Sequence, residues 1–165
     1  MKRLAHTGGW RWLWLSLAVI VLDRVTKELV LNGLRSGDNI VLAPFLSLVL
    51  AFNTGAAFSM FADANGWQRW LFTVVAVVAS GVMLWLLRRG GSALFCAGLA
   101  LIIGGALGNL WDRLTIGKVV DFVLVHWRDA YFPAFNIADS AITIGAAALI
   151  LDSILTRHAT PARES

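Results

Sequence analysis

The chain has 165 residues, 58% of them hydrophobic and 15% charged, with a formal charge of +4 and a mean hydropathy of +0.72. A soluble domain is nearer a quarter charged and about half apolar, so these proportions exclude an ordinary soluble domain and indicate an integral membrane protein of a single domain spanning residues 1–165. The lone Cys96 excludes an intrachain disulfide, the lack of a dense Cys/His cluster argues against structural zinc, and the scattered basic residues suit the flanks of membrane spans better than a nucleic-acid surface.

In chain order, four segments are long and apolar enough to cross a bilayer, which takes about 20 mostly apolar residues. The first covers about 12–31; it is apolar to Leu22 and then carries Asp23, Arg24, Lys27 and Glu28. A cleaved signal peptide is the competing reading, but Asp23-Arg24 follows the apolar run where a small-x-small site is needed. Next comes an outer loop over 32–66, in which residues 39–52 are rich in β-formers and interrupted by Pro44. The second and third spans cover about 70–87 and 93–110, joined by Arg88-Arg89-Gly90-Gly91-Ser92, a turn between antiparallel helices. A second outer loop, 114–136, holds a candidate strand, Val119–Trp127. The fourth span covers about 137–155, and the tail 160–165 is predicted to be disordered. The two β-rich stretches predict a small extracytoplasmic platform; a re-entrant or interfacial helix competes with that reading.

Charge sets the orientation, because cytoplasmic loops concentrate Lys and Arg. Lys2, Arg3 and Arg11 precede the first span, Arg88-Arg89 form the tight turn, and Arg157 and Arg163 lie in the tail, whereas the long loops hold only Arg35, Lys118 and Arg128. Both termini are thus expected to be cytoplasmic. Tryptophans form two belts at the headgroup levels: Trp10, Trp12, Trp14 and Trp85 at the inner one, Trp67, Trp70, Trp111 and Trp127 at the outer one.

Two aspartates stand out. Asp121 interrupts Val119-Val120-Asp121-Phe122-Val123, and Asp139 opens the apolar run of the fourth span. An ionised Asp at a membrane-helix centre costs about 2.5–3.5 kcal/mol, so such a pair suggests acid–base chemistry. Two close carboxyls share one proton: the ionised member activates water and the neutral one donates to the carbonyl under attack. Asp139 near a helix start is favoured in its ionised form. Taken singly, Asp139 also fits an N-cap and Asp121 a solvated strand edge. Asn53-Thr54-Gly55-Ala56-Ala57-Phe58 reads as a tight turn whose Asn amide can orient a substrate. Gly104 and Gly108 form a close-packing face, and Asn109 and Arg113 share the outward-pointing side of the same helix. Asp23–Lys27 and Arg24–Glu28 are i, i+4 pairs; Arg24–Glu28 reads as mutual neutralisation at a helix end, and the role of Asp23–Lys27 stays open. His126 reads as structural, and Asp152 as a partner for Arg157.

Asp23-Arg24-Val25-Thr26-Lys27, Asn53-Thr54-Gly55-Ala56-Ala57-Phe58, Gly104-Gly105-Ala106-Leu107-Gly108-Asn109-Leu110-Trp111-Asp112-Arg113, Val120-Asp121-Phe122 and Phe135-Asn136-Ile137-Ala138-Asp139-Ser140 together resemble the bacterial lipoprotein signal peptidases, or signal peptidase II. The resemblance covers roughly residues 12–156. It implies a membrane aspartic endopeptidase of four transmembrane helices with an extracytoplasmic β-cradle, in the bacterial inner membrane, with its active site near the outer face. The substrate would be a prolipoprotein whose cysteine carries diacylglycerol, cut just before that cysteine. Asp121 and Asp139 match the catalytic pair; Asn53, Asn109, Arg113 and Asn136 would line the site, with Asp23 and Lys27 as supporting polar residues. No metal or organic cofactor is implied, and nothing requires more than a monomer. The alternative is a small proton-coupled transporter, with Asp139 as relay; both aspartates near one face, and the lack of an inverted repeat, argue against it.

Overall fold

The computed structural model describes residues 8–54 and 66–158. Lys2, Arg3, the Gly55–Phe58 part of the turn motif, Arg163 and the tail 160–165 lie outside the described residues, as does the side chain of Arg157.

A short 3-10 turn, Gly9–Trp12, leads into α1, Leu13–Gly33. Strands β1, Asn39–Ala43, and β2, Leu46–Asn53, form a hairpin. Helices α2, Trp67–Arg89, and α3, Ala93–Thr115, follow; then strands β3, Val119–Trp127, and β4, Ala130–Tyr131, and finally α4, Ile137–His158. The sheet is antiparallel in the order β1-β2-β3-β4. The 39–52 stretch is therefore two strands, turned at Pro44-Phe45, where proline's fixed φ favours a bend and its missing N–H cannot serve a ladder.

Among the described residues, three helices are long and apolar enough to cross a membrane: Trp67–Arg89, Ala93–Thr115 and the Ile137–Thr156 part of α4. With 21 residues, α1 is nearly as long, but Asp23, Arg24, Lys27 and Glu28 make it more polar. Those charges are sorted by face. Asp23 and Lys27 are buried, while Leu17, Val21, Leu22, Val25 and Leu29 are exposed. Similar exposed aliphatic surface runs along α2 (Val74, Val75, Val78, Val82) and α4 (Ile144, Ile150, Leu151, Ile154).

The central helix is α3, which packs against α1, α2 and α4. Its glycines permit this. A Cβ on Gly104 would lie 2.8 Å from the Ser16 carbonyl oxygen of α1, and one on Gly105 2.3 Å from the Ala138 carbonyl oxygen of α4. Gly98 and Gly145 face each other in the same way across α3 and α4. The close-packing face expected at Gly104 and Gly108 is present, and a second one points to α4. Ser16 Oγ donates to the Ala100 carbonyl at 2.7 Å, a further tie between α1 and α3.

At one end of α3 lies an apolar core of Leu87, Cys96, Leu99 and Ile103. Trp12 packs inward against it rather than standing in a belt, whereas Trp10, Trp14, Trp67, Trp70, Trp85, Trp111 and Trp127 are exposed. The α2–α3 link is a tight turn: Gly90 takes φ 75°, and Ser92 caps α3 by accepting from the Phe95 N–H at 3.0 Å. Ser92 Oγ also donates to Asp152, so that acid is held by α3's cap; its expected pairing with Arg157 lies outside the described residues.

Candidate active site

At the other end of α3 the side chains turn polar. The helix runs on to Thr115, well beyond the apolar stretch ending at Leu110, so Asn109, Asp112 and Arg113 are all helical. Asn109 and Asp112 are buried there together with Asp23, Lys27, Asp121 and Asn136.

Asp139 is the third residue of α4, and the helix is capped by Asn136 rather than by Asp139 itself. Asn136 Oδ1 accepts from the Asp139 N–H at 2.9 Å, and Asp139 Oδ2 accepts from the Asn136 N–H at 3.3 Å. This is a reciprocal capping box built from Asn and Asp. The other oxygen, Asp139 Oδ1, accepts from Asn109 Nδ2 at 2.7 Å. Asp139 thus receives two N–H donors at the positive end of a helix.

Asp121 lies on β3, opposite Ala51 of β2. A register shift between Leu48 and Ala51 precedes that pairing. Asn53, two residues beyond Ala51, is on the same face and hydrogen-bonds the Asp121 carboxyl. Beyond β4 the chain returns along β3: Phe122 and Val123 both donate to the Phe135 carbonyl, and Phe135 donates back to Val123. That return places Asn136 beside Asp121.

Asn136 joins the two aspartates. While its Oδ1 caps α4, its Nδ2 donates to Asp121 Oδ1 at 2.7 Å, to the Val120 carbonyl at 3.1 Å and to Asn109 Oδ1 at 3.2 Å. Its side chain is wholly buried. The Asp121 carboxyl is pushed up to about 7, first by burial and then by the charge of Asp139; the bonds from Asn53 and Asn136 and the charge of Lys27 act in the opposite sense.

Arg113 lies 5.1 Å over the Phe72 ring and reaches the Asn109 carbonyl at 3.4 Å. It is half-buried, and its charge acts on Asp139, Asp121 and Asp112. Arg24 and Glu28 pair at the surface as expected, with Arg24 5.9 Å over Trp111. His126 is structural: Nε2 meets Ser47 Oγ at 3.2 Å and the ring lies 5.5 Å from Tyr131.

The Asp23–Lys27 pair proves to be part of a larger buried group. Lys27 Nζ contacts Asp23 Oδ2 at 2.7 Å, Asp112 Oδ2 at 2.8 Å and Asn109 Oδ1 at 3.0 Å. Asp112 is the residue that sequence reasoning missed. A buried ammonium has three hydrogens to place, and Asp23 alone cannot take them; that shortfall was the available signal.

All eight candidates from the sequence, Asp23, Lys27, Asn53, Asn109, Arg113, Asp121, Asn136 and Asp139, converge on this one end of the molecule. The comparisons with known proteins agree on what it belongs to. Residues 15–155 match the family described as signal peptidase (SPase) II. The chain is 56% identical over 149 residues to the lipoprotein signal peptidase of Pseudomonas putida, covering 88% of this chain and 87% of that one. It is 51% identical over 156 residues to that of Pseudomonas paraeruginosa, covering 92% of each. A bacterial membrane enzyme solved by the in meso method at 2.3 Å superposes with a TM-score of 0.82 at 26% identity, over 94% of this chain and 93% of its own. A second such enzyme, at 1.9 Å, gives 0.76 at 28% identity, over 86% and 90%. The chain belongs to the signal peptidase II family and is a membrane-embedded aspartic endopeptidase.

Proposed function

We propose that the chain removes the signal peptide from prolipoproteins whose cysteine already carries diacylglycerol, cutting the peptide bond immediately before that cysteine. The observation that carries the mechanism is the Asn136 side chain, which binds Asp121 through Nδ2 and caps the helix start that holds Asp139. Asp139, with its two N–H donors, is the ionised member. Asp121, raised to about 7, is the protonated one. Asp139 takes a proton from a water lying between the two carboxyls. The resulting hydroxide attacks the scissile carbonyl carbon while Asp121 donates its proton to the carbonyl oxygen. The C–N bond then breaks as the amine nitrogen receives the proton held by Asp139, and Asp121 recovers its own. Asn53, Asn109 and Asn136 hold the carboxyls, and the Arg113 guanidinium supplies positive charge beside them.

The same reading makes α1 a fourth membrane span, since its charged residues turn inward or pair while its outer face is aliphatic. The termini are then cytoplasmic, and the sheet and the aspartates lie at the outer face of the inner membrane, where a diacylglyceryl anchor presents the bond. The chain acts as a single domain and a monomer. Incubating the purified protein with a diacylglyceryl-modified prolipoprotein and with its unmodified precursor tests the proposal: cleavage of the modified form alone is expected. Equal cleavage of both would remove the lipid requirement, and solute flux without peptide product would favour a proton-coupled transporter.

A further inference from the structure

The group around Lys27 is expensive. Lys27, Asp23 and Asp112 are all essentially inaccessible, and each buried ion loses several kcal/mol of hydration even after relaxation. Well-packed apolar residues in their place would be as stable or more so. Stability therefore does not explain why the charges are there, and their remaining contacts suggest what does.

Each carboxylate has one oxygen on Lys27 and a grip on a backbone N–H. Asp23 Oδ1 accepts from Ala138 N–H at 2.9 Å. Asp112 Oδ2 accepts from Val120 N–H at 3.2 Å. Ala138 immediately precedes Asp139, and Val120 immediately precedes Asp121. The two grips run in parallel: one carboxylate on the N–H of the residue before each member of the dyad, and one ammonium holding both. Asp23 divides the two contacts between its oxygens, whereas Asp112 makes both through Oδ2, with Oδ1 3.6 Å from Arg24. The third hydrogen of Lys27 goes to Asn109 Oδ1 at 3.0 Å, which also accepts from Asn136 Nδ2. With its oxygen taken by two donors, Asn109 must present Nδ2 to Asp139. The fold leaves room for this at Gly108, where a Cβ would lie 2.8 Å from Asp23 Oδ2.

We infer that Lys27, with Asp23 and Asp112, is a positioning clamp that fixes the separation of the two catalytic backbone segments and the orientation of the Asn109 amide. The clamp spans α1, α3, β3 and the first turn of α4, and Arg24 of α1 adds its longer contact to Asp112 Oδ1. Asp23 also satisfies one of the N–H groups that a helix start leaves unpaired. Lys27 and Asp112 touch neither carboxyl of the dyad through a hydrogen bond; they act through the peptide groups and through Asn109. This inference rests on the assignment of Asp121 and Asp139 as the dyad.

The test uses the full-length protein purified in detergent, with kcat and KM measured per folded molecule on a diacylglyceryl-modified prolipoprotein across pH. Lys27→Met and Asp112→Ala are expected to lower kcat about 100-fold, the scale of a misplacement of about 1 Å. KM should stay within about threefold, because ground-state binding is untouched. The pH optimum should move as the spacing of the carboxyls changes. Asp112→Asn keeps an oxygen for the Val120 N–H and should recover about tenfold of the loss seen in Asp112→Ala. Folded Lys27→Met or Asp112→Ala protein with parental kcat and pH profile overturns the inference, and so does an Asp112→Asn variant no better than Asp112→Ala. If Lys27→Met does not fold, the two Asp112 variants decide alone. Asp121→Asn and Asp139→Asn are run in parallel: retained cleavage in those defeats the dyad itself, whereas inactive dyad variants beside parental clamp variants defeat only the clamp.

Discussion

The two ends of α3 are built on opposite principles. Around Cys96, Leu99 and Ile103 the helix meets Leu87 of α2 through apolar contact, which is non-directional and tolerates a change of shape at a cost set by lost volume. Around Asn109 and Asp112 the same helix meets its neighbours through ions and amides whose partners are fixed in direction. The first end holds the protein together; the second holds a few atoms in place. A substitution at the apolar end should therefore change how much protein is folded, and one at the polar end should change what each folded molecule does.

The largest effect that would test this division is at the dyad. Asp121→Asn and Asp139→Asn each keep shape and remove a titrating group, so cleavage per folded molecule should fall by about a thousandfold or more while the protein still inserts and unfolds cooperatively. Substantial turnover in a purified variant would remove that residue from the mechanism. At the other end, Leu99→Ala should destabilise by about 2–5 kcal/mol and leave kcat per folded molecule unchanged, as read from unfolding in detergent alongside the cleavage assay. Gly105→Ala tests the boundary between the two. Its Cβ would press on the Ala138 carbonyl, which is backbone and cannot swing aside. A loss of about 1–3 kcal/mol is expected, and because Asp139 follows Ala138, kcat should fall with it. A fall in stability alone would mean that α4 shifts without carrying its carboxylate.

The smallest effect is the pH dependence of stability. Asp121 rises from 3.8 to about 7 on folding, so between those values the folded protein holds a proton there that the unfolded chain has released. Its stabilising contribution is complete below pH 3.8 and is lost as the pH rises through about 7. Asp121→Asn should remove that slope from a series of unfolding temperatures, and in the parent kcat should decline above about pH 7 as the general acid deprotonates. An unchanged slope in Asp121→Asn would assign it to another group.

Much of this was legible in the sequence where hydropathy carried it. The three uncharged or nearly uncharged spans, the β3 strand and the two aspartates in apolar runs all follow from it. Asp121 and Asp139 stood out because a carboxylate among valines needs a reason. Asn53 reads as a turn amide able to orient a substrate and Asn109 as sharing a helix face with Arg113, but each has an ordinary use, and only the family resemblance gathers them with Asn136 into one site. Asp112 went unseen because, next to Arg113 at the end of an apolar stretch, it reads as a solvated helix terminus. Its burial depends on β3 folding back over α3 and presenting the Val120 N–H, a long-range event without a local sign. For the same reason α3 was expected to stop near Leu110: hydropathy ends there, but the hydrogen-bonded helix does not.

The glycine contacts of α3 bear on where the molecule can move. With the Ser16 and Ala138 carbonyls pressed against Gly104 and Gly105, little side-chain volume remains at those points between α3 and either α1 or α4 to absorb sliding. The carboxyl on α4 is therefore a fixed jaw. The carboxyl on β3 is held at its distance by the clamp, whereas the outer strand of its sheet, β1, is exposed along almost its whole length. Amide exchange should be fast in β1 and slow in the first turns of α4.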